Sequence, residues 1–416
     1  MRQPEQIERL YLDFDGFFAS VEQQCDKRLR GRPVGVIPYE GGRTCVIACS
    51  REAKAMGVSN VMMVADARRL CPDIILVPQK PDLYRRAHET LLAEIESVIP
   101  IDAVKSIDEL TCRLDAGQRT DPRGFARRLK ATIAGNVGPH ITCSIGFAAN
   151  RQLAKIACKV DKPNGVTVWR PEDMPGPLFA LPLEDIPGVG SNMRSRLALA
   201  GVVTTEQLYA TAPKQMRAIW RNVTGERLWY ALHGYDIQAP EAERGMFGHA
   251  RVLPPESRTP AAAREIGRLL LIKAARRMRR AGYYGSGLWL WVTLGRDAPG
   301  WSGQRTFGAA NDDQALQAGF RALWEEFRAA RPGRVMLFRV GVTLFDLTRS
   351  DARQLDLLAD DDPARQRWER VSQAIDGLNA KYGRTVASLG MWNPPKGGNV
   401  GGKISFTRIP SAEDFW

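Results

Sequence analysis

Histidine is scarce in this chain, with four in 416 residues. Cysteine is confined to the first 160 residues: Cys25, Cys45, Cys49, Cys71, Cys112, Cys143 and Cys158. Their number is odd and no two are spaced as CxxC, so neither a zinc site nor a disulfide framework is expected. A reduced, cytoplasmic chain with mostly buried thiols is expected instead. Long apolar runs are missing too, which excludes a helical membrane span. The opening MRQPEQIERL lacks the apolar core of a signal peptide. Acid is in deficit: 46 Asp and Glu against 59 Lys and Arg leave a net charge of +13. That surplus suits a polyanionic partner, nucleic acid before a membrane surface. The rest is ordinary for globular protein, 44% hydrophobic and 25% charged. A chain of this length exceeds one core, and roughly two to four domains are expected.

The most informative stretch is YLDFDGFFASVEQ, residues 11 to 23. Apolar residues run into Asp13, and Asp15 follows at i+2, so both acids share one face of an extended strand. Gly16 breaks the strand, and Phe17, Phe18, Val21 and Glu22 continue at helical spacing. Such a strand end can present metal-binding oxygens. It can equally be a plain strand-to-helix turn with Asp15 as N-cap. A second acidic element decides between them. IDAVKSIDELTCRLD, residues 101 to 115, alternates as a β-hairpin with its tip near Ser106 to Asp108. Asp108 and Glu109 are consecutive, so both can aim at one site only if the turn or a bulge rotates one of them.

Between and beyond these lie strands at 34–37, 45–49, 74–77, 141–148 and 166–169. Helices are expected at 16–30, 50–56, 64–70, 82–98, 122–134 and 150–158. This alternation indicates an α+β sheet domain over about the first 168 residues. Pro171 to Pro182 reads as a linker. LEDIPGVGSNMRSRLALAGV, residues 183 to 202, reads as two short helices around Gly188, Val189 and Gly190. Backbone N–H groups in such a hairpin can approach a phosphate, so it reads as a helix-hairpin-helix grip on DNA. Helices continue to about residue 236. Thr259 to Arg280 is one long helix with seven bases, including Arg276, Arg277, Arg279 and Arg280, against one acid, Glu265. That excess points to phosphate contact. Strands at 288–294 and 335–347 and a helix at 312–329 complete a small α/β domain of βαβ-like order. QLDLL, residues 354 to 358, has the pattern of a docking peptide. An amphipathic helix at 363–381 and a Gly-rich tail follow.

Carboxylates on adjacent strands repel one another, and divalent cations relieve that conflict. Hard oxygens together with substrate phosphates favour Mg²⁺, and a pair of ions can assist phosphoryl transfer. In this setting LDFDGFFASVEQ, SIDEL, CSIGFAANRQLAKIACKVDKPNG and IPGVG follow one another at spacings that resemble the Y-family translesion DNA polymerases, polymerase IV type. The resemblance covers about residues 7 to 383. It implies a multidomain α+β right-hand fold: palm and fingers over 1–168 (fingers about 16–80), a helix-hairpin-helix thumb over 169–240, and a little finger over 244–350. A tail with a clamp-binding motif and a helix would fill 351–416.

The resemblance implies template-directed, low-fidelity translesion synthesis by two-metal nucleotidyl transfer. Asp13, Asp108 and Glu109 match the catalytic, metal-binding carboxylates, and the Phe14 carbonyl matches a further ligand. Two Mg²⁺ ions are implied. Phe18 matches the steric gate that excludes a ribose hydroxyl, and Phe17, Arg51, Lys54 and Lys162 line the nucleotide. Gly188, Val189 and Gly190 with Arg276, Arg277, Arg279 and Arg280 would bind DNA. Gln354, Leu355, Leu357 and Leu358 match a sliding-clamp peptide. Primer–template DNA, dNTPs and the clamp are the implied partners of a bacterial-type, nucleoid-associated monomer with no membrane contact. The fingers depart from the family: SREAK stands where SYEAR is usual, so Arg51 replaces a Tyr and Lys54 replaces an Arg with its bidentate fork. The alternative is therefore a catalytically weak or inactive Y-family scaffold that binds DNA and the clamp. Such relatives lose the carboxylates, which are all present here. A nucleotide cyclase with a similar palm is disfavoured by the thumb and the basic end domain.

Overall fold

The computed structural model describes residues 1–40, 44–237, 243–295, 299–352, 363–391 and 409–415. The chain forms two compact units, Met1–Pro240 with Ile404–Ile409, and Glu241–Lys403 with Pro410–Trp416. Among the described residues no helix is long and apolar enough to cross a membrane.

Among the described residues the first unit has eight strands: β1 Arg9–Phe14, β2 Val34–Ile37, β3 Ala48–Cys49, β4 Ile75–Pro78, β5 Ile101–Val104, β6 Glu109–Arg113, β7 Cys143–Ala148 and β8 Val166–Val168. Five of them make one sheet in the order β5-β6-β1-β7-β8, and three make a second in the order β3-β2-β4. β1 is the centre of the larger sheet, antiparallel to β6 on one side and to β7 on the other. Its two faces are both covered. Leu10, Leu12 and Phe14 enter the core formed with helices Pro81–Glu96 and Pro122–Asn136. Tyr11 points the other way, into a core formed with helix Arg151–Val160 and the helices that follow. Gly146 on β7 permits that second packing. A Cβ there would stand 2.1 Å from the Ala154 carbonyl oxygen, so the helix lies directly on the strand. The polar residues of β1, Arg9 and Asp13, share the Tyr11 face, so the face that meets this helix also carries the first candidate acid.

The first unit continues through helices Ser191–Leu199, Thr205–Ala210, Pro213–Trp220 and Val223–Leu232. Two local expectations change here. The Pro-rich 171–182 segment is folded rather than a linker: it holds a turn at Pro171–Asp173 and helix Gly176–Phe179, and Leu178 is buried. The first arm around Gly188 is only a 3₁₀ turn, Leu183–Asp185, because the following Ile186-Pro187 leaves the helical region.

The second unit is a four-stranded antiparallel sheet of β9 Met246–Val252, β10 Tyr283–Thr293, β11 Trp301–Ala310 and β12 Arg339–Arg349, in the order β11-β10-β12-β9. Helices Pro260–Arg280 and Asp313–Ala330 pack on it through Leu270, Ala274, Phe320 and Phe327 against Leu288, Leu290, Val342 and Leu344. Each buried Leu, Val or Phe among them contributes about 1.5–3 kcal/mol. The expected strands and helices are present, every described pairing is antiparallel, and β9 and β11 were not expected. Both are edge strands with Gly, His, Arg or Gln among their residues, so the apolar pattern of a buried strand is missing. Helix Pro363–Tyr382 follows. Residues Ala412–Phe415 form a turn, and Lys273 donates to the Asp414 carbonyl at 2.7 Å.

Candidate active site

Asp13 and Glu109 lie directly opposite each other across the β1–β6 pair. Directly paired residues point to the same face, so both carboxylates emerge on the side covered by helix Arg151–Val160. Asp108 reaches the same end differently. It precedes β6 in a bend, so strand alternation does not constrain it, and this removes the conflict that consecutive acids posed. The bend is well anchored. The Phe14 N–H donates to the Asp108 carbonyl at 2.8 Å, and the buried His88 donates through Nδ1 to the Ile107 carbonyl at 2.8 Å. The Ser106 hydroxyl donates to the Asp108 carboxylate.

Asp15 does not join them, nor does it cap the next helix. Its Oδ1 accepts from Ser144 at 2.9 Å, and its Oδ2 accepts from Thr142 at 3.0 Å and from the Asn164 N–H at 2.8 Å. The N-cap is Gly16, with φ 56° and no side-chain cap bond. Only glycine suits that position, because a Cβ would meet the Cys49 carbonyl oxygen at 2.8 Å and the backbone is left-handed. Asp15 therefore ties the strand end to the KPNG turn.

Two lysines neutralise the candidate acids. Lys155 Nζ donates to both Glu109 oxygens, at 2.8 and 2.9 Å, and to the Tyr11 hydroxyl at 3.1 Å. Lys162 pairs with Asp13. Burial still pushes the Asp13 carboxyl up to about 6. Lys162 opposes that shift, and the nearby Asp108 and Glu109 add to it. Burial raises the Tyr11 hydroxyl further above its ordinary value, helped by Glu109. The site opens into a cleft of about 540 Å³, lined by Lys105, Asp108, Glu109, Arg151 and Lys155 among others. Among the described residues no three acidic, histidine or cysteine side chains stand close enough to enclose one metal ion. The donors themselves suit a hard cation: they are carboxylates, two of them paired across adjacent strands, and burial and acidic neighbours raise the Asp13 carboxyl.

Phe17 is buried in the core, whereas Phe18 is half-buried with its ring stacked on Tyr84 at 4.5 Å. Arg51 and Lys54 are exposed on the short helix Arg51–Ala55. Val189 is buried and its N–H is already bonded to the Ile186 carbonyl at 2.9 Å. Gly188 (φ 105°) and Gly190 flank it. A backbone grip there would rest on the two glycines and not on Val189.

The basic helix of the second unit uses much of its charge internally. Arg279 donates to Asp313 at 2.8 Å and to Asp376 at 2.7 Å, and Arg276 to Asp376 at 3.2 Å; both arginines are buried. Arg277 donates to the Gly248 carbonyl, and Arg280 pairs with Glu413. These groups hold the unit together, and Arg276 and Arg279 are not presented to a phosphate backbone. Their acids are far off in sequence, so the charge count on one helix could not show the pairing. Gln354, Leu355, Leu357 and Leu358 lie outside the described residues.

Sequence reasoning missed Tyr11, His88, Tyr84 and Lys155. A signal existed for Lys155 alone: a lysine set among buried Leu153, Ala154, Ile156 and Ala157 on one short helix.

Residues 12–159 match the model of the impB/mucB/samB family, and residues 244–357 match that of its C-terminal domain. The chain belongs to this family. A relative from Moorella thermoacetica, named DNA polymerase IV, is 34% identical over 91% of this chain and 94% of its own length. One of the same name from Neisseria meningitidis serogroup B is 34% identical over 56% of this chain and 73% of its own. Among solved structures, a Y-family DNA polymerase chimera built on Dbh superposes with a TM-score of 0.68 at 23% identity, over 82% of this chain and 99% of its own. The impB/mucB/samB chain thus has the fold of the Y-family polymerases.

Proposed function

We propose that the chain is a template-directed DNA polymerase performing low-fidelity translesion synthesis, with Asp13, Asp108 and Glu109 as its catalytic carboxylates. The observation that supports this best is the cross-strand pairing of Asp13 with Glu109 beside the anchored bend at Asp108. On this reading residues 1–168 are palm and fingers, 169–240 the thumb, 244–350 the little finger and 351–416 a tail with a clamp-binding peptide. Primer–template DNA and dNTPs are its substrates, and it works as a monomer. Asp13, Asp108, Glu109 and the Phe14 carbonyl would hold two Mg²⁺ ions. Ions held by these residues would supply positive charge to a phosphoryl transfer.

The chain's own residues supply position and charge. The β1–β6 pairing fixes two carboxylates, and the His88 and Phe14 bonds fix the third. Gly16 turns the strand straight into helix Phe17–Cys25, which places Phe18 within five residues of Asp13. The Phe18 ring, held flat against Tyr84, is the surface that would meet a ribose hydroxyl. Lys162, Arg51 and Lys54 present positive charge to a triphosphate. The exposed fingers helix carries Lys54 in place of an arginine fork, which favours a second reading as a weak polymerase or DNA-binding scaffold.

Primer extension with Mg²⁺ and dNTPs decides between them. Wild type extends, and Asp108→Ala loses on the order of 10³-fold or more in rate while DNA affinity stays near wild type. Wild type that binds primer–template DNA without extending it would establish the scaffold instead.

A further inference from the structure

We propose that Lys155 and Lys162 are resident counter-ions of the carboxylate cluster, which a divalent cation must displace to bind. The proposal rests on the reading of Asp13, Asp108 and Glu109 as cation ligands, and adds to it what holds those groups together beforehand.

Each lysine comes from a different element and takes a different acid. Lys155 stands on helix Arg151–Val160 and grips both oxygens of Glu109; Lys162 stands on the KPNG turn and takes Asp13. An ammonium has three N–H donors, and those of Lys155 are all engaged, two by Glu109 and one by Tyr11. The pairs are sheltered. Side-chain exposure is 25% and 19% for Lys155 and Glu109, and 32% and 14% for Lys162 and Asp13, so salt screens them weakly. A hard cation needs the same oxygens and repels both ammonium groups. Entry therefore exchanges one kind of positive charge for another.

The exchange has a direction for each lysine. Lys155 keeps a second favourable place when Glu109 turns to a cation, because its Nζ already lies 5.1 Å from the centre of the Tyr11 ring. Lys162, once released from Asp13, becomes available to a nucleotide triphosphate. Cation binding and triphosphate capture are thereby coupled through one side chain, with Lys155 acting as a positioning residue for Glu109.

The test is thermal unfolding of the full chain, without DNA or nucleotide, in EDTA and across a MgCl₂ titration. Wild type is stabilised as Mg²⁺ rises. Lys155→Met unfolds at lower temperature in EDTA, because the acids then repel without compensation. Its half-saturating Mg²⁺ concentration falls by about fivefold, as expected for losing one sheltered competitor. Lys155→Arg stays close to wild type, and Tyr11→Phe shifts the same way as Lys155→Met by less, which keeps the comparison informative if Lys155→Met folds poorly. An unchanged half-saturation, with the same deficit at every Mg²⁺ concentration, makes Lys155 a structural prop and overturns the proposal. A raised half-saturation overturns it too, since Lys155 would then be helping the cation. A wild type with no response to Mg²⁺ removes the ligand reading of the carboxylates, whereas a responding wild type with an unmoved Lys155→Met removes only the exchange.

Discussion

The Phe18 ring is defined by what stands behind it. It stacks on Tyr84 with an interplanar angle of 10°, and the Tyr84 hydroxyl donates to the buried Glu22 at 2.8 Å. Lys80 completes the set on the other Glu22 oxygen at 2.6 Å. A ring supported in this way resists displacement by a substituent on the sugar, which is what a gate requires. Phe18→Ala is expected to raise ribonucleotide insertion relative to deoxyribonucleotide by on the order of 10–100-fold, measured with competing rNTP and dNTP at one template position. Unchanged sugar selection would remove the assignment. The sequence made Phe18 legible as a residue on a strand-to-helix turn. Tyr84 was not legible as its support, because it lies 66 positions away inside a helix whose periodicity speaks only of burial. Asp15 shows the reverse limit. Its position before a helix suggested a cap, yet its oxygens accept from Thr142 just before β7, Ser144 on β7 and an N–H of the KPNG turn.

Helix Pro81–Glu96 controls the hairpin of β5 and β6 through one side chain. Burial holds the His88 imidazole below its ordinary value, with the bond to Ile107 opposing. The unfolded chain takes up this proton near pH 6.5, its ordinary value. Between that value and the lower folded one, the unfolded state binds more protons, so His88 lowers stability as the pH falls. Comparing unfolding midpoints at pH 7.5 and 5.5, wild type should lose up to about 1 kcal/mol more than His88→Gln. Parallel curves would show that the imidazole does not titrate with unfolding. The hairpin itself was legible, since its strands alternate and its acids are adjacent. So were the central strands and long helices, where apolar spacing leaves one choice. The edge strands β9 and β11 were not, because an edge strand with polar residues lacks that spacing and is specified by its neighbours.

At the scale of the whole molecule, composition and motif order were strong guides to family and weak ones to surface. The polymerase reading places a clamp peptide at 354–358, in a stretch that the sequence alone describes. Replacing Gln354, Leu357 and Leu358 with Ala is expected to reduce clamp pull-down and processive synthesis by about tenfold or more, leaving single-nucleotide insertion unchanged. Equal clamp capture by the triple variant would place that contact elsewhere. The net charge of +13 suggested a polyanionic partner, and the helix Pro260–Arg280 carried the densest run of bases. Arg276 and Arg279 are held by Asp376, with Asp313 also on Arg279. A guanidinium already neutralised by an internal carboxylate displaces no condensed ion from a nucleic-acid backbone. On the polymerase reading, the helix Pro260–Arg280 can therefore release fewer counter-ions than its seven bases suggest, because Arg276 and Arg279 are used to bind its own unit together.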